Sequence, residues 1–371
     1  MHDILFISGT RPEIIKLAPL YHQILGRTGL HPTWLHTGQH GEMASTMHSC
    51  FDIDPEISFK RDGNSLCEFS TNCRLQLEAV MLERKPDMVI VQGDTESAFL
   101  GALAGFYHHA PVAHVEAGLR THDLDRPFPE EGLRQMIGRV SQFHFSPTAH
   151  ARDMLLAEGI RDDRIFVTGN TVVDAQRLAI SRHGISRNVT GRGRLLVTTH
   201  RRENWGNDLE NICHAVAAFA KRHPALTVLF PVHLNPVVQG PVHTILRGLS
   251  NVRLTSPLDY LEMQQALADA WVVLTDSGGL QEEAPTFGVP LLVLRNETER
   301  PEAVEAGCAR IVGTDFERIL AMLEELWSDD LVYRRMQKAE NPFGDGHASE
   351  RIASRIEAAM GTVQSQRAAV L

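Results

Sequence analysis

The sequence has no CxxC pair, and its five cysteines (Cys50, Cys67, Cys73, Cys213 and Cys308) are an odd, scattered set. This argues against a disulfide scaffold and suits a reducing compartment, so a cytoplasmic location is expected. No apolar run approaches the ~20 residues that cross a bilayer. The N-terminus, MHDILFISGT, is acidic early and its apolar run is too short for a signal peptide. It reads as a buried strand, and no membrane partner is expected. Basic residues are the minority: 36 Lys and Arg against 46 Asp and Glu leave a net charge of −10. That balance repels a polyanion and sets nucleic acid aside, while leaving room for a locally basic pocket around a small phosphate ligand. Neither a Walker A sequence nor GxSxG occurs. Gly191-Arg192-Gly193 imitates a dinucleotide fingerprint but precedes a strand instead of following one, so no cofactor is expected. The histidines, His108-His109 among them, show no metal-ligand spacing, and no metal is expected.

What is present is a soluble enzyme's composition. With 371 residues, 43% of them hydrophobic and 22% charged, the chain is too long for one core and reads as two domains. Short β-rich runs alternate with helix-length segments. The first series is ILFIS (4–8), TWLHT (33–37), MVIVQ (88–92), VAHVE (112–116), HFSP (144–147) and IFVTG (165–169). The second is LLVTT (195–199), TVLFPV (227–232), VRLT (252–255), VVLT (272–275) and PLLVL (290–294). Segments such as 67–84, 209–222 and 261–269 carry helical patterns between them. Strands alternating with helices imply parallel sheets, and two doubly wound α/β domains are the simplest account. HGISRNVTGRGR (183–194) loses apolar periodicity and marks the break between the series.

Reactive residue types stand directly after the strands: Gly9-Thr10-Arg11, Gln39-His40, Gly93-Asp94-Thr95, Glu116-Ala117-Gly118, His200-Arg201-Arg202-Glu203, His233-Leu234-Asn235 and Asp276-Ser277-Gly278-Gly279. Open parallel sheets bind ligands beyond the carboxyl ends of their strands, so the clusters point to one shared cleft. Thr10 with Glu13 forms a capping box that opens a helix. Arg11, a cation at that helix's positive end, makes sense where an anion meets it, and Lys16 follows one turn later. Solvated surface side chains are the plain alternative for both. Ser277-Gly278-Gly279 brings backbone amides to a helix start where a pyrophosphate can approach, with Glu283 a turn further on; an ordinary glycine turn is the alternative. Asp94 and Glu116 end strands that should be buried, where a carboxylate is costly unless used or paired. Glu130 and Glu131 follow Pro129 at a helix start, where acids are favoured anyway, and Glu130 has Arg134 at i,i+4. His200 and His233 are suited to phosphate oxygens, although a lone histidine after a strand is more often structural.

Assembled, the chain resembles the non-hydrolysing UDP-N-acetylglucosamine 2-epimerases along nearly its whole length. GTRPEIIKLAPL (9–20), TGQHGEM (37–43), HVEAGLRT (114–121), PEEGLR (129–134), THRREN (199–204), PVHLNP (231–236), TDSGGLQEEAP (275–285) and TERPEAVEAG (298–307) carry the likeness. It implies a glycosyltransferase-B-like pair of Rossmann-like domains, 1–169 and 170–349, with a last helix at 350–371 returning to the first. It implies Asp94, Glu116 and Glu130 as catalytic carboxylates and His200 acting on the leaving diphosphate. Arg11, Lys16, Arg134, His233, Ser277, Gly278, Gly279, Glu283 and Arg300 would contact a UDP-sugar substrate. A homodimer is expected; the likeness also offers Gln39, Glu42 and Arg201 as candidates for a second, allosteric site, against which the departures at Glu42 and Gly63 count. The chain departs from the pattern at Glu42, where Gln is common, at Gly63, near an expected Arg, and at His122 and Asp125-Arg126 close to Glu130.

Overall fold

The computed structural model describes residues 1–63, 65–189 and 192–369, without the side chains of Glu42, Met43 and 362–369. The chain forms two compact units, Met1–Leu178 with Phe343–Leu371, and Ala179–Pro342. The first contains β1 (His2–Ser8), α1 (Arg11–Leu25), β2 (Leu30–His36), α2 (Gly41–Cys50), β3 (Ile57–Ser58), α3 (Leu66–Arg84), β4 (Met88–Gln92), α4 (Glu96–Tyr107), β5 (Val112–Val115), α5 (Glu130–Val140), β6 (Phe143–Ser146), α6 (Ala149–Ala157) and β7 (Ile165–Val167). After α7 (Thr171–His183) the second contains β8 (Arg194–Thr198), α8 (Asn207–Arg222), β9 (Thr227–Pro231), α9 (Pro236–Leu246), β10 (Val252–Thr255), α10 (Tyr260–Ala268), β11 (Ala270–Thr275), α11 (Gly278–Glu283), β12 (Leu291–Val293), α12 (Pro301–Glu305), β13 (Ala309–Ile311), α13 (Phe316–Ser328) and α14 (Asp330–Gln337). The last helix, α15 (Ala348–Ala369), belongs to the first unit.

The first unit's sheet has seven strands in the order β3-β2-β1-β4-β5-β6-β7, and the second's has six in the order β10-β9-β8-β11-β12-β13. Every pairing is parallel. Helices cover the sheets, which is why the central strands read as nearly unbroken apolar runs. In the first unit Leu5, Ile7, Val89 and Val91 pack against Phe69, Leu77, Met81 and Ala98. In the second Leu195, Val197, Val228 and Phe230 pack against Leu209, Ile212, Val216 and Phe219. The edge strands β3 and β13 were not expected; at two and three residues they carry too little apolar pattern to register.

The units divide inside α7 and after Pro342, where the sequence placed boundaries at 169/170 and 349/350. The local cause is a carboxylate: Asp174 accepts from the backbone N–H of Ala348 (3.2 Å) and Ser349 (2.7 Å), capping α15 and tying the start of α7 to the first unit. Asn170 N–H donates to Phe343 O at 2.6 Å beside it. In each sheet strand order reverses once, between β1 and β4 and between β8 and β11. Loops leaving such a pair diverge to opposite faces and open a crevice, which is where doubly wound sheets bind ligands.

Candidate active site

In the first unit the crevice is built from the turns after β1 and β4. A Cβ on Gly9 would lie 1.9 Å from Ser97 Oγ and 2.5 Å from Thr37 Oγ1, so only glycine lets this turn meet the start of α4. Thr10 caps α1, and Glu13 turns back to accept from Gly9 N–H (3.1 Å) and Thr10 N–H (2.7 Å). Its other oxygen accepts from Thr95 Oγ1 at 2.8 Å, which stitches the two turns together across the reversal. Glu13 is wholly buried, and burial pushes its carboxyl up to about 7 despite these hydrogen bonds. Arg11 stands exposed at the head of α1, with no ion-pair partner among the described residues. His40 lies close: burial lowers its proton affinity first, then the charges of Arg61 and Arg11. Cations gathered at a helix N-terminus suit an incoming anion.

Of the three expected carboxylates, Asp94 and Glu116 follow the successive strands β4 and β5, and Glu130 opens α5. Asp94, after β4, accepts from Arg134 Nε at 2.9 Å and from Nη2 as well. Arg134, expected to contact substrate, is engaged here by Asp94 and, at 3.3 Å, by Glu131. The Glu130–Arg134 pair that the spacing allowed does not form, because Arg134 reaches across to Asp94. Glu116, after β5, adopts the left-handed conformation (φ 64°). For a residue with a Cβ this costs on the order of 1 kcal/mol or more and persists only where the surroundings hold it. Here Lys16 Nζ and Asn170 Nδ2 (2.8 Å) both donate to Glu116 Oε2. Lys16 is thus lodged on a carboxylate.

Glu130 opens α5 half-buried, and its carboxylate has no hydrogen-bond partner among the described residues. Its neighbour Glu131 is fully buried and accepts from Thr121 N–H (3.0 Å), His122 N–H (3.2 Å) and Gln135 Nε2 (2.8 Å). Burial pushes the Glu131 carboxyl up, but these bonds and Arg134 outweigh it and leave the group below its usual range. One acid of the pair is structural and the other is free for chemistry. Beneath Asp94, His114 Nε2 donates to Gly93 O at 2.7 Å, and burial lowers the ring to about 3, so it is neutral. Gln39 accepts from Ser97 N–H (3.2 Å) and Ser97 Oγ (2.6 Å), and Arg61 donates to its carbonyl at 2.9 Å. The Glu42 side chain lies outside the described residues.

The second unit repeats the arrangement after β8 and β11. Asp276 has no exposed surface, and its carboxylate accepts from His200 N–H, Arg201 N–H (3.0 Å) and Asn204 Nδ2 (3.0 Å). His200 Nδ1 lies 2.9 Å from the same carboxylate, and the imidazole is 47% exposed. Burial raises the Asp276 carboxyl, yet the hydrogen bond and charge of His200, with the backbone donors, leave it below its ordinary value. Ser277 caps the short helix α11, and Gly278 and Gly279 lie at its open start. Glu283 accepts from Gln264 Nε2 at 2.7 Å. Its Oε1 is 4.0 Å from where a Cβ on Gly279 would stand, so acid and glycine turn are neighbours. Arg201 Nε donates to Asp276 O at 3.1 Å. Arg300 donates to Glu282 Oε1 (2.5 Å) and Glu299 O (3.1 Å). His233 is exposed beyond β9, where its Nδ1 accepts from Asn235 N–H at 3.1 Å.

The sequence shows Glu13 only as a cap and Glu131 only as a helix-start acid, and does not single out His114, Asn170 or the Asp276–His200 contact. His114, Asn170 and Asp276 each reach a residue distant in the chain, and their only local signal is a polar residue inside or next to an apolar strand.

The comparisons agree with this architecture. Residues 22–357 match the family model described as UDP-N-acetylglucosamine 2-epimerase. The UDP-N-acetylglucosamine 2-epimerase of Yersinia pestis is 43% identical over 368 residues, 95% of this chain and 98% of that protein. Among solved structures, the UDP-GlcNAc 2-epimerase of Neisseria meningitidis bound to UDP-GlcNAc superposes with a TM-score of 0.88 at 38% identity, covering 96% of this chain and 100% of that one. The glycotransferase of kitacinnamycin, 14% identical with a TM-score of 0.63 over 96% and 98% of the two chains, shares the fold alone. The architecture is glycosyltransferase-B-like α/β. With a family model matched over residues 22–357 and a relative 43% identical across 95% of the sequence, this chain belongs to the UDP-N-acetylglucosamine 2-epimerase family.

Proposed function

We propose that the chain interconverts UDP-N-acetylglucosamine and UDP-N-acetylmannosamine without releasing free sugar. The observation that carries the reading is Glu116, held in a left-handed conformation by Lys16 and Asn170 and accompanied by Asp94 and by Glu130, whose carboxylate has no hydrogen-bond partner among the described residues. The hydrogen on C2 of a 2-acetamido sugar is not acidic. Departure of UDP from C1, with the C1–O electron pair passing to the diphosphate, gives C1 oxocarbenium character and acidifies C2–H. A carboxylate then removes that proton in an anti elimination, leaving a 2-acetamidoglucal. A carboxylic acid on the opposite face returns a proton to C2 while UDP re-adds at C1. The scheme needs at least two carboxyl groups and an anion clamp. Asp94, Glu116 and Glu130 supply the first; Arg11, His200, His233, Arg300 and the Ser277-Gly278-Gly279 turn supply the second, with Glu283 meeting a ribose hydroxyl. Lys16 and Arg134 exchange carboxylate for substrate as it binds.

Incubation with UDP-N-acetylglucosamine in D2O is expected to place deuterium at C2 and yield the manno epimer still attached to UDP. Free sugar would point to a hydrolysing enzyme, and no exchange with any UDP-2-acetamido sugar would overturn the reading. Asp94→Asn is expected to nearly abolish exchange while leaving UDP binding within several-fold; an unchanged rate removes Asp94 from the mechanism. The protein is further read as cytoplasmic and homodimeric. The described cysteines are free, no helix among the described residues is long and apolar enough to cross a membrane, and Leu75, Leu82, Phe106, Tyr107 and Met136 expose apolar surface on α3, α4 and α5. Sedimentation equilibrium tests the dimer.

A further inference from the structure

One buried carboxylate in the second unit has no part in the reaction as written above. Asp276 ends β11, and His200 follows β8, the strand beside it across the reversal. Thr198 and Thr275 pair in register and their hydroxyls meet at 2.6 Å, so the two turns start from a fixed base. Asp276 then holds His200 at two points: the backbone N–H at 3.0 Å and the ring Nδ1 at 2.9 Å. A carboxylate only accepts, so Nδ1 must carry the proton. Nε2 has no protein partner among the described residues, on an imidazole that is 47% exposed.

We infer that Asp276 is a positioning residue, which fixes the tautomer and orientation of His200 so that Nε2 addresses the departing diphosphate. The inference deepens the functional reading above and rests on it. Nδ1–H stays on Asp276 in both protonation states of the ring, and only Nε2 changes. As the C1–O bond breaks and its electron pair passes to the β-phosphate oxygen, the imidazolium offers Nε2–H to that oxygen; re-addition reverses the transfer. Backbone contacts alone would tie the turn without choosing a tautomer. The added contact to Nδ1 makes this a carboxylate–imidazole dyad, in which the outer acid sets ring direction and basicity. The same residue steers a second cation: its carbonyl receives Arg201 Nε at 3.1 Å, and Arg201 Nη2 lies 3.7 Å from where a Cβ on Gly278 would stand.

Two measurements test this. Long-range 1H–15N correlation on histidine-labelled protein, with His200 assigned through His200→Gln, is expected to show the neutral ring protonated at Nδ1. This needs only the wild-type fold. Second, Asp276→Asn is expected to lower the rate of C2 exchange on the order of 10- to 100-fold with UDP affinity within several-fold. In a His200→Gln background the same change is expected to cost almost nothing, because Asp276 acts through the ring. An Nε2-protonated ring, or losses that multiply in the double variant, overturns the inference in an enzyme that exchanges. A wild-type enzyme that does not exchange at all overturns the functional reading instead.

Discussion

Replacing Glu13 with glutamine should make the protein more stable at alkaline pH, although the residue is wholly buried and hydrogen-bonded to Gly9, Thr10 and Thr95. Burial raises its carboxyl from 4.5 to about 7. A group whose folded value is raised contributes stability that is fully present below its unfolded value and lost as pH rises through the folded one. At about 1.4 kcal/mol per pH unit, the gap from 4.5 to about 7 amounts to about 3 kcal/mol withdrawn by pH 8. Glutamine keeps the shape: its carbonyl can accept from Gly9 and Thr10, and its amide can donate to Thr95 Oγ1. We expect wild type and Glu13→Gln to lie within about 1 kcal/mol at pH 5 and the variant to lead by about 2–3 kcal/mol at pH 8.5. Trp34 is in the first unit, while Trp205, Trp271 and Trp327 are in the second. Urea unfolding followed by 19F NMR of fluorotryptophan-labelled protein therefore reports the relevant unit through one resonance. Taking the difference between the two proteins cancels the buried histidines His36, His48, His114 and His144, which titrate in both. A difference that stays constant with pH, or grows in favour of wild type, refutes the reasoning.

Neighbouring acids on α5 should separate cleanly. Glu130→Gln removes no hydrogen bond among the described residues and should change stability by less than about 0.5 kcal/mol while abolishing C2 exchange. Glu131→Gln strips charge from a buried acceptor of several donors and should cost about 1–3 kcal/mol in chemical denaturation. Gly101→Ala would place a Cβ 2.9 Å from Ile7 Cδ1 and 3.0 Å from Val91 Cγ1, against the strands flanking the first crevice. It should destabilise by about 1–3 kcal/mol, seen as a lower melting temperature.

Much of this protein was legible along the chain. Parallel strands buried on both faces advertise themselves as apolar runs, so ILFIS, MVIVQ, LLVTT and VVLT mapped onto β1, β4, β8 and β11, the strands that flank the reversals. Ligand groups in such sheets follow strand ends, and the candidates Arg11, Asp94, Glu116, His200 and Ser277 all stand at such places. Partnership was not legible. Glu130 and Glu131 are equivalent as letters at a helix start; only the path of the 121–122 backbone makes one a buried acceptor and leaves the other free. Arg134 had Glu130 within one helical turn, yet Asp94, 40 residues earlier, takes its guanidinium. Asp276 and His200, 76 residues apart, meet because β8 and β11 lie side by side. Periodicity and turn chemistry are local, and they determined the elements, their order and the places where polar groups emerge. Which acid is charged, which histidine tautomer forms and which cation is occupied depend on through-space neighbours and burial, and only the packed tertiary structure decided those.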